Sequence, residues 1–257
     1  MSTDAARVFV VGMGEVGRRL AGALGAAGVE TVPVTRTSGW AEALADPEGV
    51  LVACVREEAL AEVLGHLRGL DPRRLVFVQN GWMRPLLAGL PGCTRGLVWF
   101  TSKGEFFRVL RPSIFFGPHA AFLAKALGRG GISSVAVDED AFASAEAEKM
   151  GFNCVVGLPL AVHGLALAEY LERHHEEAQA VFSEAVSVTA RALGADSSPE
   201  WWTAFLSVVE PLGWVKAGTA KALEFRNGAV VRLAHELGLR APVNERLLAA
   251  IGMPTGP

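Results

Sequence analysis

Val8-Phe9-Val10-Val11 runs directly into Gly12-x-Gly14-x-x-Gly17, and Arg18 through Leu24 continue with helical spacing. A strand, a glycine turn and a helix in immediate succession leave few foldings open, and the doubly wound nucleotide-binding unit is the one that needs all three glycines. The first glycine permits the tight turn, the second lets backbone approach a pyrophosphate, and the third lets helix and strand pack closely. The helix N-terminus adds partial positive charge. Gly12, Met13, Gly14, Glu15, Val16 and Gly17 are therefore the expected dinucleotide contacts. The alternative is a tight turn that packs without a ligand.

Val29–Thr35 reads as the next strand and ends in Arg36-Thr37-Ser38. An NAD site usually carries an acidic side chain here, about 20 residues past the glycines, to bond the ribose 2′-hydroxyl. Arg36 stands there instead, and a guanidinium suits a 2′-phosphate in charge and in bidentate geometry. Arg36 and Thr37 thus point to NADP(H) as the cofactor. Gly49–Val55, Arg74–Gln79, Gly96–Phe100, Ser113–Phe116 and Ser134–Val137 continue the strand pattern, with a helical stretch at Glu58–Leu70. Continuous apolar strands separated by helices indicate an α/β fold with a parallel sheet covered on both faces. Ligands of such sheets gather at the carboxyl ends of strands, which makes Arg56 and Asn80 candidates by position.

Beyond about Asp140 the strand pattern stops. Helical periodicity covers Phe142–Val156, Val162–Leu193, Glu200–Val209, Thr219–Leu237 and Val243–Ile251. Residues 1–140 are expected to form a Rossmann-like cofactor domain, and residues 141–257 an all-helical domain for substrate and dimerisation. His163, His174 and His175 match no common metal-ligand spacing, so no metal site is expected. Cys54, Cys93 and Cys154 are scattered and read as reduced thiols. The 257 residues carry a net charge of −3, which argues for neither a nucleic-acid nor a membrane partner. Met1–Arg7 lacks the apolar core of a secretion signal, so a cytoplasmic protein is expected.

Glu148-Lys149-Met150-Gly151-Phe152-Asn153 resembles the signature of the ketopantoate reductase family, roughly K-x-x-x-N-x-x-x-N-P-L-T. Gln79-Asn80-Gly81 is similar to that family's Q-N-G element. Lys216-Ala217-Gly218 through Asn227-Gly228 resembles its E-I-D-Y-x-N-G segment, and Ala241–Asn244 its V-P-x-N. The resemblance is collinear over nearly the whole chain. It implies Lys149 as general acid, Asn153 as a substrate hydrogen-bond partner and Asn80 as a group holding nicotinamide and substrate. The chemistry is coherent, because hydride delivered to a ketone carbon builds oxyanion charge that needs a proton donor. Lys149 and Asn153, at i and i+4, share one helical face.

The departures are specific. The family's acidic residue falls at Ala222, with Glu224 at the aspartate position two residues on. The second asparagine of the helix signature is Gly157, the threonine falls at Leu160, and a lysine near the cofactor becomes Arg56. Gly157, Glu210 and Glu224 are the remaining substrate-side candidates. Three readings stay open. One is an NADPH-dependent reductase acting on another 2-oxo acid or related carbonyl, another a genuine ketopantoate reductase, and the third an NADP(H)-binding regulatory protein whose site has decayed. A homodimer is one assembly open to it.

Overall fold

The computed structural model describes residues 7–216 and 222–254. The chain divides into two compact units, Met1–Gln79 with Met83–Phe142, and Asn80–Trp82 with Ala143–Pro257. The change of character expected near residue 140 thus falls at Phe142/Ala143, and a three-residue segment around Asn80 belongs with the second unit.

In the first unit, β1 (Val8–Val11), β2 (Thr31–Val34), β3 (Val50–Ala53), β4 (Leu75–Phe77) and β5 (Thr94–Leu97) pair in parallel. The helices between them are α1 (Glu15–Ala26), α2 (Trp40–Ala45), α3 (Leu60–His66) and α4 (Arg84–Leu87). A hairpin follows, made of β6 (Phe100–Lys103) and β7 (Phe106–Val109), then β8 (Ser113–Phe116), α5 (Ala120–Arg129) and β9 (Ser134–Ala136). The main sheet has seven strands in the order β2-β1-β3-β4-β5-β8-β9. β8 runs antiparallel to β5 and parallel to β9, so the expected parallel sheet is a mixed one. The hairpin explains the reversal, since an antiparallel neighbour needs no helical crossover. The Gly96–Phe100 strand read from the sequence splits accordingly between β5 and β6.

Central strands are apolar on both faces because both faces are covered. Val8, Val10, Val52, Val76 and Phe115 pack with Leu20, Leu24, Leu123 and Leu127 from α1 and α5 in one buried cluster. Burying each such side chain contributes roughly 1.5–3 kcal/mol. Pro33 lies in β2, an edge strand, where a missing N–H is tolerated.

The second unit is helical. It takes in most of α6 (Glu139–Val155), then α7 (Leu158–His163), α8 (Leu167–Arg173), α9 (His175–Leu193), α10 (Glu200–Val209), α11 (Asn227–Glu236) and α12 (Pro242–Ala250). Asp138 caps α6 by accepting the Ala141 N–H at 2.9 Å, which starts the helix ahead of the expected Phe142. The single helix expected over Val162–Leu193 is instead three. Gly164, at φ 67°, ends α7, and Ala166 bridges to Lys216 in extended conformation. The N–H groups of Leu167 and Ala168 go to the Val215 and Gly213 carbonyls, so this stretch is drawn out of the helical ladder. The start expected at Thr219 lies outside the described residues; from Ala222 the described chain forms a 3-10 turn at Leu223–Phe225 before α11.

Among the described residues, no helix is long and apolar enough to cross a membrane.

Candidate active site

The glycine turn is built as its spacing requires. Gly12 sits at φ 92°, and a Cβ on Gly17 would lie 1.9 Å from the Gly12 carbonyl oxygen, so any side chain there would drive α1 off the turn. Nothing lies within 4 Å of a Cβ placed on Gly14, which leaves open space where backbone can face a ligand. Gly14 caps α1 without a side-chain acceptor, so the first-turn N–H groups are free of that competitor.

A cavity of about 330 Å³ opens above this turn. Gly12, Met13, Gly14, Arg36 and Arg56, among the candidate cofactor contacts, line it. Arg36 and Arg56 are both exposed, at the carboxyl ends of β2 and β3. Glu15, Val16, Gly17 and Thr37 do not line it. Val16 packs on the apolar core, and the Thr37 N–H turns back to the Thr35 hydroxyl. The Glu15 carboxylate is engaged elsewhere, accepting from Ser102 Oγ at 2.9 Å and from the Gly104 N–H at 3.4 Å. These two donors, with Arg18 and Arg19 nearby, hold its carboxyl below the usual range. Arg19 donates to Ser102 Oγ and to the Gly104 and Glu105 carbonyls, so the tip of the β6–β7 hairpin is tied to the first turns of α1.

Trp40 and His66 also line the cavity, their rings stacked at 4.4 Å and 20° between planes. They form an aromatic stack in the cavity wall that no motif announced, because α2 and α3 meet only through tertiary packing. Cys54 contributes to the lining as well, and burial pushes its thiol up to about 12.

In the second unit, Lys149 and Asn153 occupy one face of α6, and both are buried, at 5% and 6% exposure. Burial separates Lys149 from an ordinary surface lysine. Its ammonium lies 4.5 Å from the centre of the Phe152 ring. Glu146, one turn earlier, is buried too and was not singled out from the sequence. Asn153 Nδ2 is buried with no hydrogen-bond partner among the described residues, and so is Asn80 Oδ1. Leaving such an atom unsatisfied costs roughly 1–3 kcal/mol, which a bound polar ligand would offset. Asn80 lies in the segment Asn80–Trp82, fixed by the Trp82 N–H to the Phe225 carbonyl at 2.7 Å.

The other substrate-side candidates fare differently. Glu210 and Glu224 are exposed, while Gly157 is half-buried at the start of α7 with the Asn153 carbonyl 3.2 Å from where its Cβ would stand. Ala222 is buried at φ 54°, a left-handed conformation that L side chains seldom take. Asn227 and Asn244 are buried and bonded to one another. Asn227 Nδ2 donates to Asn244 Oδ1 at 2.8 Å and to the Cys154 carbonyl at 3.2 Å. Glu184 accepts from Asn244 Nδ2 and from the Val243 and Asn244 N–H groups, capping α12.

No protein-family model and no curated protein matches the sequence. Solved structures share its fold. A ketopantoate reductase from Ralstonia eutropha JMP134 is similar over 95% of this chain and 97% of its own, at 21% identity and a TM-score of 0.74. D-mandelate dehydrogenase in complex with NADH is similar over 95% and 97%, at 16% identity and a TM-score of 0.77. A dimeric ketopantoate reductase from Staphylococcus aureus is similar over 95% and 96%, at 16% identity and a TM-score of 0.73. The likeness therefore spans both units of the chain.

Proposed function

We propose that the chain is an NADPH-dependent oxidoreductase related to the ketopantoate reductases, reducing a 2-oxo acid or similar carbonyl to the hydroxy compound. The observation that carries this reading is the buried face of α6, where Lys149 stands one turn from an Asn153 Nδ2 that has no hydrogen-bond partner among the described residues. A buried ammonium beside a donor held in reserve is an arrangement for an anionic or carbonyl-bearing ligand.

The cavity above the glycine turn fits a dinucleotide. Gly12, Met13 and Gly14 would face the pyrophosphate, and the Trp40–His66 wall would receive the flat adenine. Arg36, with no acidic side chain at its position, would pair with a 2′-phosphate. When bound, the reduced nicotinamide supplies a hydride to the carbonyl carbon. Lys149 holds a proton at Nζ for the oxygen that gains negative charge, and Asn153 Nδ2 orients that substrate by a hydrogen bond. Asn80 Oδ1 offers an acceptor to the cofactor amide or the substrate.

The exposure of Glu210 and Glu224 and the alanine at position 222 support a substrate other than ketopantoate, since no carboxylate is buried at those positions. A homodimer fits the reading, as one reductase of this fold is dimeric.

The test is NADPH oxidation by the purified protein against ketopantoate and a panel of 2-oxo acids, with Lys149→Ala alongside. We expect turnover on a 2-oxo acid other than ketopantoate, lowered by about 10²–10⁴-fold in the variant while NADPH still binds. Unchanged turnover in Lys149→Ala would remove Lys149 from the mechanism. NADPH binding without turnover on any carbonyl would favour a regulatory binding protein instead.

A further inference from the structure

His163, His174 and Glu177 have no recognisable metal-binding spacing in the sequence, yet the helical unit gathers them. His163 is the last residue of α7. The left-handed turn at Gly164 redirects the chain into α8, and His174 follows α8 as the cap residue of α9. Glu177 lies in the first turn of α9, three residues on, so it shares a face with His174. One ligand atom from each of the three side chains falls within 4.8 Å of the other two.

We propose that His163, His174 and Glu177 bind a divalent transition-metal ion of the zinc, cobalt or nickel class. Two imidazoles and one carboxylate are a donor set suited to such ions, and three protein ligands leave a coordination position open to water or another ligand. Bond lengths of about 2.0–2.2 Å place tetrahedral donor atoms about 3.3–3.6 Å apart around one ion, so a shift of about 1–1.5 Å closes the set.

The imidazoles of His163 and His174 stack at 4.1 Å with 26° between their planes. Their lone pairs must converge on the ion, which requires the His174 ring to rotate out of this stack. Nothing but ring stacking holds this ring among the described residues.

The carboxylate is already oriented. Tyr170 donates its hydroxyl to Glu177 Oε1 at 3.2 Å, and Arg246 Nη2 donates to Oε2 at 2.7 Å. Outer partners of this kind fix ligating carboxylates. His163 Nε2 lies 2.7 Å from Glu177 Oε1, a contact the ion would replace with two bonds of its own. A purely structural clasp accounts for that contact. It leaves the ring nitrogens of His174 without a hydrogen-bond partner among the described residues.

The test is calorimetric titration of zinc into the chelator-treated full-length protein, with cobalt absorption as a second measure of coordination. We expect one ion per chain, and affinity at least about tenfold weaker in His163→Ala and in His174→Ala. His235→Ala is the control, because His235 and Glu245 form a pair at 3.3 Å without a third ligand in the same cluster; it should bind as the parent does. Glu177→Gln, which keeps an acceptor for Tyr170, covers the case in which a histidine variant does not fold. No binding by the parent protein, or binding of equal strength in His163→Ala, His174→Ala and Glu177→Gln, would overturn the site. The readout is independent of NADPH oxidation, so this result and the test of Lys149 stand or fall separately.

Discussion

At Lys149 burial and charge oppose one another. A buried ammonium is costly to desolvate, and a helix face selected for packing alone would carry leucine or methionine there. Position 36 poses a simpler contrast, with a cation at the end of β2 where a 2′-hydroxyl reader would be acidic. Arg36→Asp should weaken NADPH binding by about tenfold or more and narrow or reverse its advantage over NADH, since a charge-assisted hydrogen bond contributes about 1.5–3 kcal/mol. Fluorescence titration with both cofactors measures the ratio, and an unchanged ratio would exclude Arg36 from 2′-phosphate recognition. Gly12, Met13, Gly14, Arg36 and Arg56 were legible because motif spacing and strand ends fix where backbone and side chain emerge. Trp40 and His66 were not, as they become neighbours only when two short helices pack together. The burial of Lys149 and Asn153 was likewise hidden, because i, i+4 spacing names a face without saying what covers it.

Among the elements, the β6–β7 hairpin was the least visible in the sequence. β7 alternates exposed and half-buried positions, β6 is half-buried up to its exposed last residue, and neither has the continuous buried run that announced β1, β3 and β4. It docks on α1 through Arg19 and through Glu15, whose carboxyl is held below the ordinary value of 4.5. A lowered value means that the contact is complete above the ordinary value and is lost as pH falls through the lowered one. The protection of the Gly104 amide against hydrogen exchange should therefore drop in acid, and Glu15→Ala should show the reduced protection already at neutral pH. Equal protection in the parent and the variant at neutral pH would mean that the hairpin is held by other contacts. The helices of the second unit show the opposite error. Apolar spacing runs through His163–Ala168, and only the left-handed Gly164 and the pairing with Val215 and Lys216 reveal the break.

At the scale of the whole molecule, each unit has its own buried scaffold. Valines and leucines on either side of a sheet serve the first, and the Asn227–Asn244–Glu184 network joins α9, α11 and α12 in the second. Each also holds one thiol whose ionisation burial pushes up to about 12, Cys54 in the first unit and Cys154 in the second. Both should resist alkylation at neutral pH, because the thiolate is the reactive form. Cys54 edges the proposed cofactor cavity, and NADPH should slow its alkylation in proportion to occupancy, with Cys154 unaffected at low denaturant. Mass spectrometry of the labelled peptides reads both rates, and a Cys54 rate indifferent to NADPH would count against that cavity as the cofactor site. Cys154, enclosed among helices, reacts only when they part. The two sulfur atoms are thus built-in clocks, one timing the filling of a pocket and the other the opening of a helical core.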